Sequence, residues 1–116
     1  MKIRHGFVSN SSSSSFIITN LTYAEKTLYD FVWENLHLAD EYVEEYGFFS
    51  DENPHELKGQ MLKEAKENDF TFGPQKSYLL IFGDENNTPL NRVYDYMLRD
   101  GGVSQSFRWK FKEALR

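Results

Sequence analysis

Residues 107–112 read FRWKFK, and this short stretch decides the fold class. Three aromatic residues alternate with three cations there: Phe107, Arg108, Trp109, Lys110, Phe111 and Lys112. Successive side chains of a β-strand point to opposite faces of the sheet, so the alternation predicts a half-buried strand. We expect its aromatic side chains in the core and its cations in water. The sheet should therefore be covered on one face.

Three other segments read as strands. Residues 2–8 and 16–19 flank a polar loop over residues 9–15, which predicts a hairpin with a wide tip. Residues 77–82 read SYLLIF without alternation, and such a run predicts a central strand buried on both faces.

Helical spacing of apolar residues predicts three helices. The first covers residues 22–46, with Thr22 and Glu25 as its capping box and Gly47 as its C-terminal cap. The second begins at Asn53-Pro54 and ends near residue 68, and the third begins at residues 88–89 and stops before Gly101-Gly102. The fold class is thus α+β, a small, mainly antiparallel sheet of about four strands with three helices packed on one face.

The composition bounds the class of protein. A chain of 116 residues predicts a single domain over residues 1–116, with the serine-rich loop 9–15 within it. The chain contains no cysteine, which excludes disulfides, thiolate zinc sites and thiol nucleophiles. Its longest apolar run, residues 79–82, is too short to span a bilayer, so we expect a soluble, cytoplasmic protein without membrane contact.

Charge is distributed unevenly around a net value of −5. No lysine or arginine occurs between Lys26 and Lys58, a stretch that is rich in carboxylates. Within it we predict an acidic helix surface made of Asp40, Glu41, Glu44 and Glu45. Cations collect near the C-terminus, so the surface should have an acidic and a basic side.

The serine-rich loop is the most unusual feature. The candidate binding residues are Gly6, Ser9, Asn10, Ser11, Ser12, Ser13, Ser14 and Ser15, with Arg4, His5 and Arg108 as candidate anion contacts. Hydroxyls and free backbone N–H groups at a hairpin tip would cradle an anion, although the glycine spacing and lysine of a P-loop are absent. Phosphorylation of the serines and a flexible, linker-like loop are the other interpretations.

The N-terminus carries a resemblance. Residues 2–16 read KIRHGFVSNSSSSSF and match the pattern KIRxGFVSNSSSSSF at every position. This resembles the N-terminal signature of small uncharacterised proteins of tailed bacteriophages and bacteria. The resemblance implies no activity, cofactor or catalytic residue, but it implies that the segment serves recognition or modification.

Other chemistry finds little support in the sequence. His5, His37 and His55 lack the spacing of a metal site, so we expect no metal and no cofactor. Asp84, in the turn after residues 77–82, is the carboxylate best placed for acid–base work, although a Gly-Asp turn is a common chain reversal. No serine is distinguished as a nucleophile, and strict alternation puts the aromatics of residues 107–112 opposite the cations, which disfavours direct nucleic-acid binding.

These observations favour a small, non-enzymatic interaction module, related to phage proteins, that binds a host or viral protein in the host cytoplasm. It would use the Asn/Ser loop and the acidic helix, and the acidic stretch would in one variant mimic nucleic-acid charge. The alternative is a phosphate- or nucleotide-binding domain, or a small enzyme, with the loop as an anion cradle. The partner and the oligomeric state are not determined by the sequence.

Overall fold

The computed structural model describes residues 13–46, 53–68, 70–83 and 88–115. The strands of its larger sheet are β1 (Ser13–Asn20), β4 (Ser77–Gly83), β5 (Gly102–Val103) and β6 (Phe107–Leu115). They lie in the order β4-β1-β6-β5, and every pair is antiparallel. A smaller sheet pairs β2 (Lys26–Thr27) with β3 (Thr71–Phe72). The predicted α+β class, with an antiparallel sheet of four strands, is confirmed.

The strand that the alternation predicts is β6. Phe107 and Trp109 are buried, whereas Arg108 and Lys110 are exposed. Phe111 is 37% exposed, so the prediction of a buried aromatic side chain is wrong at that position. The strand also continues beyond these six residues, through Glu113 to Leu115. One face of β6 therefore contributes to the core, and the other presents cations to water.

The central strand is β1, and it begins inside the serine run. β4 pairs with one edge of it and β6 with the other. The loop predicted over residues 9–15 is therefore wrong for Ser13, Ser14 and Ser15, which are buried strand residues. A serine side chain is small enough to let three strands approach closely, and the Ser15 hydroxyl donates to the backbone oxygen of Glu113 (3.2 Å). The hairpin predicted between residues 2–8 and 16–19 is also wrong, because β4 and β6 occupy both edges of β1 at residues 16–19. Residues 2–12 themselves lie outside the described residues.

β4 is an end strand of this sheet, which corrects the prediction of a central strand over residues 77–82. Leu80 and Phe82 are buried on the core face, but Leu79 on the other face is 51% exposed. The run of apolar residues indicated burial on both faces, yet only one face of β4 lies in the core. Apolar side chains consequently remain on the open face.

Four helices are described where three were predicted: α1 (Leu28–Glu34), α2 (His37–Tyr46), α3 (Pro54–Asn68) and α4 (Pro89–Met97). The single helix predicted over residues 22–46 is instead two helices, α1 and α2, divided at Asn35. The side-chain amide of Asn35 donates to the carbonyl of Phe31 (2.9 Å) near the end of α1. The capping box is formed by Thr27 and Asp30, and the prediction of Thr22 and Glu25 is wrong.

The side chain of Asn20 explains why the first helix begins late. Its carbonyl oxygen accepts hydrogen bonds from the backbone N–H (2.9 Å) and the hydroxyl (2.8 Å) of Thr22. These bonds hold Thr22 in a turn that precedes β2. The buried Asn20 amide also donates to the carbonyls of Ala24 (2.9 Å) and Phe72 (3.1 Å), which ties β1 to the smaller sheet.

The core lies between one face of the larger sheet and the helices. Phe31 of α1 is fully buried at its centre, and its ring contacts those of Phe72, Tyr94, Phe107 and Trp109. The distances are 6.5 Å to Phe72, 5.6 Å to Tyr94, 5.2 Å to Phe107 and 5.5 Å to Trp109. Edge-on and tilted ring pairs at such separations add stabilisation beyond area burial. Among the described residues, the helical layer therefore covers this face of the sheet and none of the helices packs on the other.

Candidate functional site

The open face of the larger sheet is built from two rows of neighbouring side chains. The first row contains Ser77, Thr19, Arg108 and Val103, which are register partners across β4, β1, β6 and β5. Residues directly opposite each other in an antiparallel pair have Cβ atoms about 4.5–5.5 Å apart, so their side chains interact. We call these four residues the polar row.

The second row crosses three strands. It contains Leu79 of β4, Ile17 of β1 and Lys110 of β6, again as register partners. Leu79 is 51% exposed and Val103 of the polar row is 65% exposed, so apolar surface remains in water beside the cations. We call Leu79, Ile17 and Lys110 the second row, and the two rows together the open sheet face.

A shallow depression of about 220 Å³ lies between the rows, lined by Ile17, Thr19, Ser77, Arg108, Trp109 and Lys110. Inside it the Thr19 and Ser77 hydroxyl oxygens are 2.7 Å apart, and either one can be the donor. Since each hydroxyl has one proton, the group that accepts this bond keeps its own O–H for another partner. The depression thus combines a free hydroxyl proton with a guanidinium and an ammonium group.

The two cations of the depression make no ion pair with any other described residue. Elsewhere Arg99 pairs with Asp95 (3.1 Å) and Lys58 pairs with Asp40 (2.7 Å). Arg108 and Lys110 are exposed and keep their full donor capacity. An anionic group would find a guanidinium fork and hydroxyls at the same place.

The predicted acidic surface lies on α2. Asp40, Glu41, Glu44 and Glu45 are exposed, and Asp40 bonds Lys58 as described above. The opposite side of α2 buries Leu38, Ala39 and Tyr42 in the core. The acidic α2 face, made of those four carboxylates, therefore belongs to the helical layer, while the cations lie on the uncovered face of the sheet.

The candidate loop residues separate into two groups. Ser13, Ser14 and Ser15 are buried in β1, so their side chains do not form an exposed cradle. Eight other predicted residues lie outside the described residues: Arg4, His5, Gly6, Ser9, Asn10, Ser11, Ser12 and Asp84. Of the three candidate anion contacts, Arg108 is described, and it belongs to the open sheet face.

One polar cluster escaped the sequence analysis. The Glu64 carboxylate of α3 accepts from the backbone N–H of Leu90 (3.2 Å) and the side chain of Asn91 (3.3 Å), and so caps the N-terminus of α4. Thr88 also donates its hydroxyl to Glu64, and its side chain does not cap α4 itself. Glu64 lies 24 residues or more before these partners in the chain, so no local sequence pattern predicted the contact. The cluster joins two helices and serves the fold.

The buried phenol of Tyr94 also has a structural partner. Tyr94 is fully buried, and burial raises the pKa of its phenol far above the ordinary range. Its hydroxyl donates to the backbone oxygen of Asn35 (3.4 Å), which links α4 to the end of α1. Within the described ranges no three carboxylate or imidazole groups are placed to hold a metal ion. None of the described helices has the length and apolar character to cross a bilayer.

Comparison of the chain with known protein families, with curated proteins and with solved structures found no match. The open sheet face and the acidic α2 face therefore have to be interpreted from their own chemistry.

Proposed function

We propose that the chain is a non-enzymatic interaction module that binds another protein through the acidic α2 face. The partner would be a host or viral protein, as the resemblance of residues 2–16 implies. The placement of charge on the described surface carries the proposal: Asp40, Glu41, Glu44 and Glu45 gather on the exposed side of α2, away from Arg108 and Lys110 on the open sheet face.

Charge of one sign on one face favours recognition of a complementary surface. Such a face steers the approach of an oppositely charged partner and repels partners of like charge. Three of the four carboxylates, those of Glu41, Glu44 and Glu45, make no ion pair with another described residue. A basic protein surface would supply the missing cations.

The buried serines support this assignment over the anion cradle. The alternative requires the hydroxyls of residues 9–15 at an exposed tip, but Ser13, Ser14 and Ser15 are 1%, 0% and 3% exposed. Binding through these three side chains would first require opening the centre of the sheet. The exposed α2 carboxylates need no such rearrangement.

Affinity purification from expressing cells, with the full chain as bait, tests the proposal. We expect a stoichiometric partner with the wild-type chain and at least about fivefold less of it with Glu41→Gln/Glu44→Gln/Glu45→Gln. A matched control, Glu25→Gln/Glu67→Gln/Asp100→Asn, removes the same charge from exposed positions elsewhere and should recover the partner normally. Equal loss with both triple variants, or equal recovery with both, would contradict a specific role for the α2 face.

A further inference from the structure

We propose that the open sheet face is a second binding surface, and that it takes an acidic peptide segment of a partner protein that also carries apolar side chains. This surface is separate from the acidic α2 face, and the inference does not depend on the function proposed for α2. Three features of the described residues support it: unpaired cations, a hydroxyl pair and exposed apolar side chains.

The polar row provides the carboxylate site. Arg108 and Thr19 are register partners, and so are Thr19 and Ser77, which places the guanidinium beside the hydroxyl pair. A carboxylate can accept two N–H bonds from the guanidinium fork and a third bond from the free hydroxyl proton. Lys110, in the next row, adds a second positive charge at the same depression.

The apolar side chains indicate that the ligand is larger than a free anion. Leu79 is 51% exposed and Val103 is 65% exposed, and they flank the depression from β4 and from β5. A phosphate or acetate ion would leave both side chains in water. A peptide with apolar residues next to its carboxylates would cover both side chains, and the removal of their apolar surface from water would favour binding.

Nucleic acid fits this face less well. Single-stranded binders stack bases on exposed aromatic rings. The aromatic side chains of the described strands instead lie on the core face, where Phe16, Phe82, Phe107 and Trp109 are buried. Phe111 is 37% exposed, but its ring contacts that of Phe16 (5.8 Å) and therefore lies on the core side of the sheet and not on the open sheet face. A peptide is thus the class of ligand that both the charges and the apolar surface suit.

The test measures fluorescence anisotropy with a labelled peptide of alternating glutamate and valine, and with a matched peptide of alternating glutamine and valine. We expect saturable binding of the acidic peptide by the full chain, weakened at least about threefold when NaCl rises from about 0.05 M to about 0.3 M. The glutamine peptide should bind at least about tenfold more weakly. Equal affinity for the two peptides, or tighter binding of single-stranded oligothymidylate than of the acidic peptide, would overturn the proposal.

Variants locate the binding on the open sheet face. Arg108→Gln/Lys110→Gln should weaken binding of the acidic peptide about tenfold, because it removes both cations that would pair with the peptide carboxylates. The control Lys63→Gln/Lys66→Gln removes two exposed cations from α3 and should stay within about twofold of wild type. Leu79→Ser should weaken binding of the peptide about threefold. The inhibition constant of inorganic phosphate, measured by competition with the peptide, should stay unchanged. Equal effects of the two double variants would mean that only net charge matters, which contradicts a defined site.

A second readout uses the unaltered protein. Backbone amide shifts in NMR spectra should move at Ile17, Thr19 and Leu79 when the acidic peptide is added, and should stay unchanged at Glu41 and Glu44 of α2. Shifts confined to α2 or to the helical layer would overturn the assignment even if the peptide binds.

Discussion

The two faces of the larger sheet come from the same strands but have opposite character. The core face of β1 carries Phe16 and Ile18, which are fully buried, whereas the other face carries Ile17 and Thr19, which remain partly open to water. On the core face, aromatic rings pack against one another around Phe31. On the open sheet face, cations and a hydroxyl pair have unused bonding capacity, and apolar side chains are exposed beside them.

The difference teaches where stability and binding reside in this molecule. Side chains of the core face have neighbours on every side, so their removal leaves cavities. Side chains of the open sheet face lose little when they are changed, because water already surrounds much of their surface. Binding can therefore be altered on one face while the fold is held by the other.

The largest expected effect comes from the centre of the core. Phe31→Ala should lower the free energy of unfolding by about 3–5 kcal/mol, because it opens a cavity among four other aromatic rings. Leu79→Ala on the open sheet face should cost about 1 kcal/mol or less, since the side chain is already 51% exposed. Urea denaturation followed by circular dichroism measures both. Similar losses for the two variants would show that the open face contributes to the core as well.

A smaller effect is expected where β4 meets the start of β1. A Cβ atom at Gly83 would lie 2.1 Å from the hydroxyl of Ser13 and 2.6 Å from its Cα, so one of the strands would have to shift. Gly83→Ala should therefore destabilise the protein by about 2–3 kcal/mol. The control Gly59→Ala, on the exposed side of α3 with no atom within 4 Å, should stabilise it by about 0.5–1 kcal/mol. A neutral Gly83→Ala would mean that the serine segment does not pack against β4 as described.

The smallest of these effects concerns the helical layer. Glu64→Ala removes the carboxylate that caps α4 and should cost about 1–2 kcal/mol, as the loss of other helix caps does. Glu67→Ala, in the same helix but exposed and without a cap contact, should change stability by less than about 0.5 kcal/mol. Thermal melts at neutral pH distinguish the two variants. Equal melting temperatures for the two variants would show that α4 does not depend on the carboxylate from α3.

Local patterns in the sequence predicted several elements well. The alternation of residues 107–112 gave β6 and its two faces, and Pro54 and Pro89 marked the first residues of α3 and α4. The aromatic core also followed from residue types, since Phe107 and Trp109 are buried as expected. These features depend on spacing within one element, which the sequence contains directly.

Other features depend on contacts between distant residues and could not be predicted in the same way. Ser13–Ser15 appear as a loop by composition, because the strands that bury them begin more than 60 residues later. Asn20 bonds Thr22 and keeps it from capping a helix, and the Asn20 amide is held in turn by the carbonyl of Phe72 in β3, 52 residues later in the chain. Similarly, Thr19 and Ser77 become a hydroxyl pair only once the register of β1 and β4 is set. Part of the candidate site was therefore visible from the sequence, as Arg108, but its neighbours were not.

The most direct test of the separation between the two faces is the affinity of Arg108→Gln/Lys110→Gln for the glutamate–valine peptide, measured on protein whose unfolding free energy has been determined in the same buffer. We predict an unfolding free energy within about 0.5 kcal/mol of wild type and an affinity about tenfold weaker. An unchanged affinity, or a loss of affinity that is accompanied by an equal loss of stability, would contradict the assignment of binding to the open sheet face.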